Sequence, residues 1–154
     1  MEEWQENTLI GAGIIVGGLI TYLGIVQLWD YVIVKNNLAL EARKHADYLG
    51  KPLLNVGCGN TAYGDVNLDI NPKNVPHFIQ GDATDIPYPD KYFGALFASH
   101  ILEHLEDPDQ ALREWNRVAD KVFVLVPPIY NPFCLDGDHK WIFIGDNKIR
   151  IPGR

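Results

Sequence analysis

Between Asn7 and Trp29 the sequence has no charged residue, and ahead of that stretch it has no Lys or Arg, only Glu2, Glu3 and Glu6. The missing basic residues argue against a cleaved secretory signal, whose leading region is positively charged. Cysteine is scarce too: Cys58 and Cys134 are the only two and fall in different motifs, which leaves no disulfide framework and fits a reducing compartment. Lys and Arg number 13 against 20 Asp and Glu, a net charge of −7, so the basic surface that nonspecific nucleic-acid binding needs is absent. No repeat, low-complexity tract or flexible Gly-, Ser- or Pro-rich linker is present.

What replaces charge at the front is a long apolar run. Leu9 to Trp29 reads LIGAGIIVGGLITYLGIVQLW, 21 residues. As a helix it would be about 31 Å long, matching a hydrocarbon core of roughly 30 Å. Trp4, Trp29 and Tyr31 stand where interfacial aromatic anchors are expected. Lys35, Arg43, Lys44 and Lys51 follow the run and no basic residue precedes it, which places the C-terminal part on the cytoplasmic side. Gly13, Gly17, Thr21 and Gly24 share one helical face, a small-residue stripe suited to a second membrane helix or a second copy of the chain. Leu38, Ala42, Ala46 and Leu49 recur at helical spacing, with Gly50 as a stop. The expected organisation is an acidic N-terminus over 1–7, a transmembrane helix over 8–34, a helical connector over 35–50 and one small domain over 51–154.

In that domain short apolar runs end in glycine or polar residues. Leu53 to Asn60, LLNVGCGN, is a strand running into Gly57-Cys58-Gly59, where two residues without a Cβ let the backbone turn tightly and approach a ligand. VNLDI ends near Asp69, whose carboxylate can accept from both hydroxyls of a ribose. HFIQGDA carries Asp82, suited to an adenine amine, and YFGALFASHILEHL carries Ala98, Ser99 and His100. Lys121 to Pro128, KVFVLVPP, is nearly all apolar, the pattern of a strand buried on both faces. Ligands in open α/β sheets bind at such carboxyl ends.

The order LNVGCG (Leu54 to Gly59), NLD (Asn67 to Asp69), DATDIPY (Asp82 to Tyr88) and SHILEH (Ser99 to His104) resembles the class I S-adenosylmethionine (SAM) dependent methyltransferases, and among them the small methyltransferase type 11 group. The resemblance covers about Pro52 to Phe143. It implies a minimal Rossmann-like α/β sheet and SAM as cofactor. The site it implies has Gly57, Cys58 and Gly59 at the methionine part, Asp69 at the ribose, Asp82 and Ala83 at the adenine, Ser99 at the mouth, and Asn55 and Ile70 as further cofactor-binding residues. His100 and His139, the latter in DHKWIF, are the candidate catalytic residues, with Tyr130 a further residue near the mouth.

There are departures. Only nine residues separate Gly59 from Asp69, so the first crossover helix is missing and a tight loop replaces it. Position 94 is Gly where the group usually has Asp. After the fifth strand no long helix follows, only a Pro-rich loop and a hairpin of KWIFIG and KIRIP turning around Asp146-Asn147. His100-Ile-Leu-Glu103-His104 also matches H-x-x-E-H, a zinc signature. Zinc needs a third protein ligand, and the only glutamates further on are Glu106 and Glu114, so no metal is expected. The sequence thus points to a membrane-anchored SAM-binding methyltransferase with an unidentified acceptor. The alternative is a non-catalytic subunit of a membrane complex with a degenerate domain.

Overall fold

The computed structural model describes residues 3–135 and 137–153, with side chains described from Ile14 onward except at 30, 31, 132 and 133. The placements expected for Trp4, Gly13 and Tyr31 fall on side chains outside that set. The chain begins with helix α1, Glu3–Leu28, passes through a π-helical turn, Trp29–Val34, and continues as α2, Lys35–Leu49. From Ile14 to Leu28 most large apolar side chains of α1, among them Ile14, Ile15, Leu19, Ile20, Ile25 and Leu28, stay exposed among the described residues. Among the described residues this is the one helical run long and apolar enough to cross a membrane. One contact reaches it from the C-terminal half: Asn131 Nδ2 donates to Gln27 Oε1 at 3.2 Å.

Helix α2 is amphipathic, and its buried side consists of small residues. Ala39, Ala42 and Ala46, at spacings of three and four, lie flat on the sheet against Leu53, Ala95, Phe97 and Phe123. Gly50 ends it in the left-handed region (φ 63°), where its amide and that of Lys51 reach back to the carbonyls of Asp47 (3.0 Å) and Ala46 (3.1 Å). The expected connector is therefore also one covering layer of the sheet.

Five parallel strands follow: β1 Leu53–Val56, β2 Val66–Asp69, β3 Phe78–Gln80, β4 Phe93–Ser99 and β5 Ala119–Leu125. Their order is β3-β2-β1-β4-β5, so the order reverses between β1 and β4. Alternation gives each strand two apolar faces. Leu53, Ala95 and Phe97 face α2, while Leu54, Val56, Leu96 and Ala98 face a second layer containing α3, Pro108–Val118. Asp107 caps α3, accepting from the amides of Asp109 and Gln110 at 3.0 Å each. Ala111, Trp115 and Val118 are its buried side, and truncating a buried Trp of this kind costs about 3–5 kcal/mol.

The link from β1 to β2 contains no helix, and side chains hold it instead. Asn55 Nδ2 donates to Asn67 Oδ1 (3.0 Å) and to the Thr61 carbonyl (3.1 Å), Asn67 Nδ2 to the carbonyls of Gly64 (3.1 Å) and Pro76 (2.9 Å), and Asp65 accepts from the Leu53 amide (2.8 Å). At Gly64 a Cβ would collide with the Val66 carbonyl and lie 2.8 Å from the Asn55 amide, so only glycine fits. Arg43 of α2 clamps the same loop through Asp65 (2.6 Å) and the Tyr63 carbonyl (3.0 Å).

One departure is explained and two expectations change. Gly94 has a packing role: a Cβ there would stand 3.0 Å from both Ala46 Cα and Lys51 Cβ, so glycine is what lets the end of α2 meet β4. Strand β5 is not buried on both faces. It is an edge strand with Asp120 and Lys121 exposed, and the strands buried on both faces are β1, throughout, and β4, up to Ala98. The hairpin of β6, Trp141–Ile144, and β7, Asn147–Arg150, turns at Gly145-Asp146, one residue earlier than expected, because Ile144 pairs with Asn147 and Gly145 supplies the positive φ. Trp141 Nε1 donates to the Leu105 carbonyl (3.0 Å) and the Lys140 amide to the Glu103 carbonyl (2.8 Å), docking the hairpin on the turn after β4.

Candidate functional site

At the carboxyl ends of β1 to β4 lies a cleft of about 350 Å³, lined by Gly57, Asp69, Ile70, Asp82, Ala83 and His100, with Leu68, Gly81, Ile101, His104 and Leu105 completing the wall. Small-molecule sites occupy roughly 300–1,000 Å³, are largely apolar and carry a few fixed polar groups. The cleft opens where the strand order reverses, the usual ligand position in such sheets.

Its floor is the glycine turn. Gly57 sits at φ 63°, where a side chain is strained, and a Cβ there would be 2.6 Å from Ile101 Cδ1 and 3.0 Å from its Cβ, so any other residue would have to displace the Ile101 wall. Gly59 is also left-handed (φ 53°), but a Cβ there would meet no protein atom within 4 Å. Its amide donates to Asp69 Oδ2 at 2.9 Å, while the Asn71 amide donates to Oδ1 at 2.9 Å. Each Asp69 oxygen thus spends one acceptor position on the backbone and retains another, since a carboxylate offers about four. Asp82 Oδ1 accepts from the amide and hydroxyl of Thr84, both at 2.8 Å, fixing the turn that presents buried Ala83. The Ala83 carbonyl accepts from Trp115 Nε1 at 2.8 Å, tying the cleft to α3. Behind it Arg117 donates to Glu114, Asp90 and the carbonyls of Ile86 and Tyr88. Its hydrogen bonds hold the Glu114 carboxyl below the ordinary range.

His100 occupies the wall between β4 and the next turn with φ 55°, unusual for a residue with a Cβ. Its amide donates to the Leu125 carbonyl (2.9 Å), and Nδ1 is 2.9 Å from Ser99 Oγ.

The other expected site residues stand elsewhere. Asn55 is buried and holds the β1–β2 loop, so it acts through the glycine turn. Cys58 points into the core, its thiol pushed up by burial and then by the Asp69 charge. Neither Gly59 nor Ser99 lines the cleft: Gly59 meets it through its bond to Asp69, and Ser99 through its contact with His100. Tyr130 is exposed beyond the cleft wall. His139 is buried behind the cleft, against Glu103 and His104, with ring centroids of the two histidines 4.6 Å apart.

The H-x-x-E-H segment divides. Both histidines border the cleft, while Glu103, between them on the short 3₁₀ turn Leu102–His104, is buried behind it. Donor atoms of Glu103, His104 and His139 lie within 4.8 Å of one another. Reading the sequence linearly left His139 out of any ligand set; its pairing with Glu103 depends on the docked hairpin. Glu103 is 1% exposed and neither carboxylate oxygen has a hydrogen-bond partner among the described residues. Burial pushes its carboxyl up to about 7.

Residues 54–122 match the methyltransferase domain family. The parallel sheet with helices on both faces fits the Rossmann-like α/β fold of methyltransferases, and the family implies SAM as cofactor. The chain is 48% identical over 42 residues to ajmaline N-methyltransferase from Rauvolfia serpentina, covering 27% of this chain and 14% of that protein. It is 34% identical over 61 residues to the ubiquinone/menaquinone biosynthesis C-methyltransferase of Vibrio vulnificus, covering 36% and 24%. The corresponding Vibrio cholerae protein is 40% identical over 42 residues, covering 27% and 16%. The chain therefore spans under a quarter of the length of these relatives.

Proposed function

We propose that this chain is a methyltransferase that binds SAM in the cleft between β1 and β4 and is held at a membrane by α1, with its domain on the cytoplasmic side. The observation that carries the cofactor reading is the Asp69 carboxylate, fixed beside the glycine turn by two backbone amides and still able to accept two hydroxyls. The residues fit the cofactor: Gly57 and the open Gly59 leave room for its methionine part, Asp69 and Ile70 take the ribose, and Asp82 and Ala83 take the adenine. When bound, SAM supplies a methyl group on a positively charged sulfur. The protein's task in such a displacement is to align the acceptor and exclude water. Ile101 and Leu105 form a dry wall, and His100 is placed to accept a proton from an acceptor that must lose one.

The membrane reading is supported by the exposed apolar surface of α1 and by the Asn131–Gln27 bond. That bond brings the loop after β5 to the level of α1, and Ile129, Tyr130 and Leu135 in that loop are exposed apolar side chains. This placement is what supports reading the acceptor as one dissolved in or attached to the bilayer. A quinone-like or lipid-linked molecule is favoured, since the Vibrio relatives are named for quinone biosynthesis. The stripe of Gly17, Thr21 and Gly24, continued by Gly13, would serve a second membrane helix; Thr21 Oγ1 is occupied by the Gly17 carbonyl (2.9 Å) and no protein atom is near Cβ positions of Gly17 or Gly24. Crosslinking in detergent should give a product that Gly17→Leu removes.

The deciding experiment is calorimetric titration of SAM and its demethylated product into the full chain in detergent. Saturable binding lost in Asp69→Ala supports the reading, and incubation with membrane extract and methyl-labelled SAM then finds the acceptor. A folded chain that binds neither would instead favour a non-catalytic membrane subunit.

A further inference from the structure

Glu103 is hard to explain as an ordinary core residue. A carboxylate 1% exposed with both oxygens unpartnered among the described residues is costly unless a proton or a cation neutralises it. Two imidazoles converge on it. His139 Nε2 stands 4.0 Å from Glu103 Oε1, and its Nδ1 is 3.0 Å from the Cys134 carbonyl. His104 Nδ1 is 3.2 Å from the Asp138 carbonyl. A carbonyl facing Nδ1 selects the tautomer with the proton there, which leaves Nε2 as the ligating nitrogen, and in His139 that atom is the one nearest Glu103. Metal-ligating histidines are oriented in this way, by an outer backbone acceptor on the second nitrogen.

We propose that Glu103, His104 and His139 bind a Zn²⁺ ion. Two imidazole nitrogens and one carboxylate oxygen form an established zinc donor set, with a fourth position left for water. The donor atoms lie within 4.8 Å of one another, whereas tetrahedral ligation with bonds of about 2.0–2.1 Å brings them to about 3.3 Å. The ion therefore requires an inward movement of under about 1 Å per side chain, within reach of rotamer adjustment. His104 is only half-buried and borders a surface depression with Gly137, Asp138 and Lys140, which gives metal and water a way in. Two of the ligands come from the turn after β4 and the third from the strand entry at β6, so the ion joins the C-terminal hairpin to the wall of the cleft. This site takes the last two residues of the H-x-x-E-H segment and replaces its first histidine, which lines the cleft, with His139.

The test uses the tag-free full chain in detergent, stripped with chelator and dialysed against Zn²⁺, with metal content measured by mass spectrometry and Co²⁺ as a coloured probe. One Zn²⁺ per chain is expected, with Co²⁺ ligand-field absorption that Zn²⁺ abolishes. Glu103→Gln and His139→Asn should each weaken binding by more than the roughly 10–100-fold that loss of an outer-shell partner costs. His104→Asn alters a half-buried side chain and should do the same in a protein that keeps its circular dichroism spectrum. Wild-type chain that is folded yet takes up no Zn²⁺ at micromolar free metal would overturn the proposal, as would a folded His104→Asn chain that binds like wild type. Neither outcome touches the cofactor reading, because SAM titration does not depend on Zn²⁺ uptake.

Discussion

His100 and Glu103 belong to one short motif but serve two different regions of the molecule. On the cleft side the polar groups are satisfied before any ligand arrives: Asp69 accepts from two backbone amides, Asp82 from Thr84, and the Ala83 carbonyl from Trp115. On the far side neither Glu103 oxygen has a hydrogen-bond partner among the described residues, and His139 Nε2 stands 4.0 Å away. A preorganised cleft needs no reorganisation to receive a cofactor. An orphaned carboxylate marks a place where something is still to be added.

The sharpest way to break this comparison is at Gly94, which decides whether the domain is degenerate or merely differently packed. Gly94→Asp would restore the residue usual in the group, yet it would drive a carboxylate into Ala46 and Lys51 where a Cβ already stands at 3.0 Å. We expect a loss of about 4 kcal/mol or more, seen as a chain that fails to fold or melts at least about 15 °C lower. A stable and more active Gly94→Asp would mean that the glycine is a lesion.

Next comes the pH response of the metal-free protein. Glu103 has a folded pKa raised from 4.5 to about 7. Its protonated form therefore favours the fold: that stability is fully present below pH 4.5 and is lost as pH rises through 7, a total of about 3 kcal/mol. His139 and His104 face it across the cluster, and the carboxylates of Glu114 and Glu106, held low by Arg117 and Lys140, respond in the opposite direction as pH falls. Comparing urea midpoints of wild type and Glu103→Gln at pH 5 and pH 8 in chelator cancels those other groups. The wild type should lose ground to the variant at the higher pH, and equal differences at both would remove the idea of a buried carboxyl.

A third prediction separates the two sites. Asp69→Ala removes an acceptor worth about 1.5–3 kcal/mol per hydrogen bond, so SAM affinity should fall roughly 100-fold by calorimetry while Zn²⁺ uptake stays unchanged. If the variant lost both, cleft and cluster would be one coupled site. The smallest effect belongs to Trp115→Phe, which leaves the Ala83 carbonyl without its donor. It should cost about 1–2 kcal/mol in denaturant stability and weaken SAM binding only a few-fold.

Much of the cleft was legible because its parts are short segments of contiguous sequence. Gly57, Asp69, Asp82 and Ala83 each sit at or just beyond a strand end, and a parallel sheet aligns all its strand ends at one edge. The tight β1–β2 loop was legible from the count of residues between Gly59 and Asp69, and the hairpin from its turn residues. The roles of Asn55 and Cys58 were not, since residue type and position near a glycine turn do not say whether a side chain points toward ligand or core. Helix α2 read as a connector, because alanine spacing shows a small-residue face without showing what lies against it.

The sequence alone determined an apolar helix able to span a bilayer, a run of strands ending in glycine and carboxylate, and a resemblance to methyltransferases. These follow from local pattern, where each residue's neighbours in the chain are also its neighbours in space. Only the tertiary structure decided that α2 covers the sheet, that Gly94 is there for packing, and that His139 meets Glu103 and His104. Those contacts join residues far apart in sequence through the packing of whole elements, and no spacing along the chain encodes them.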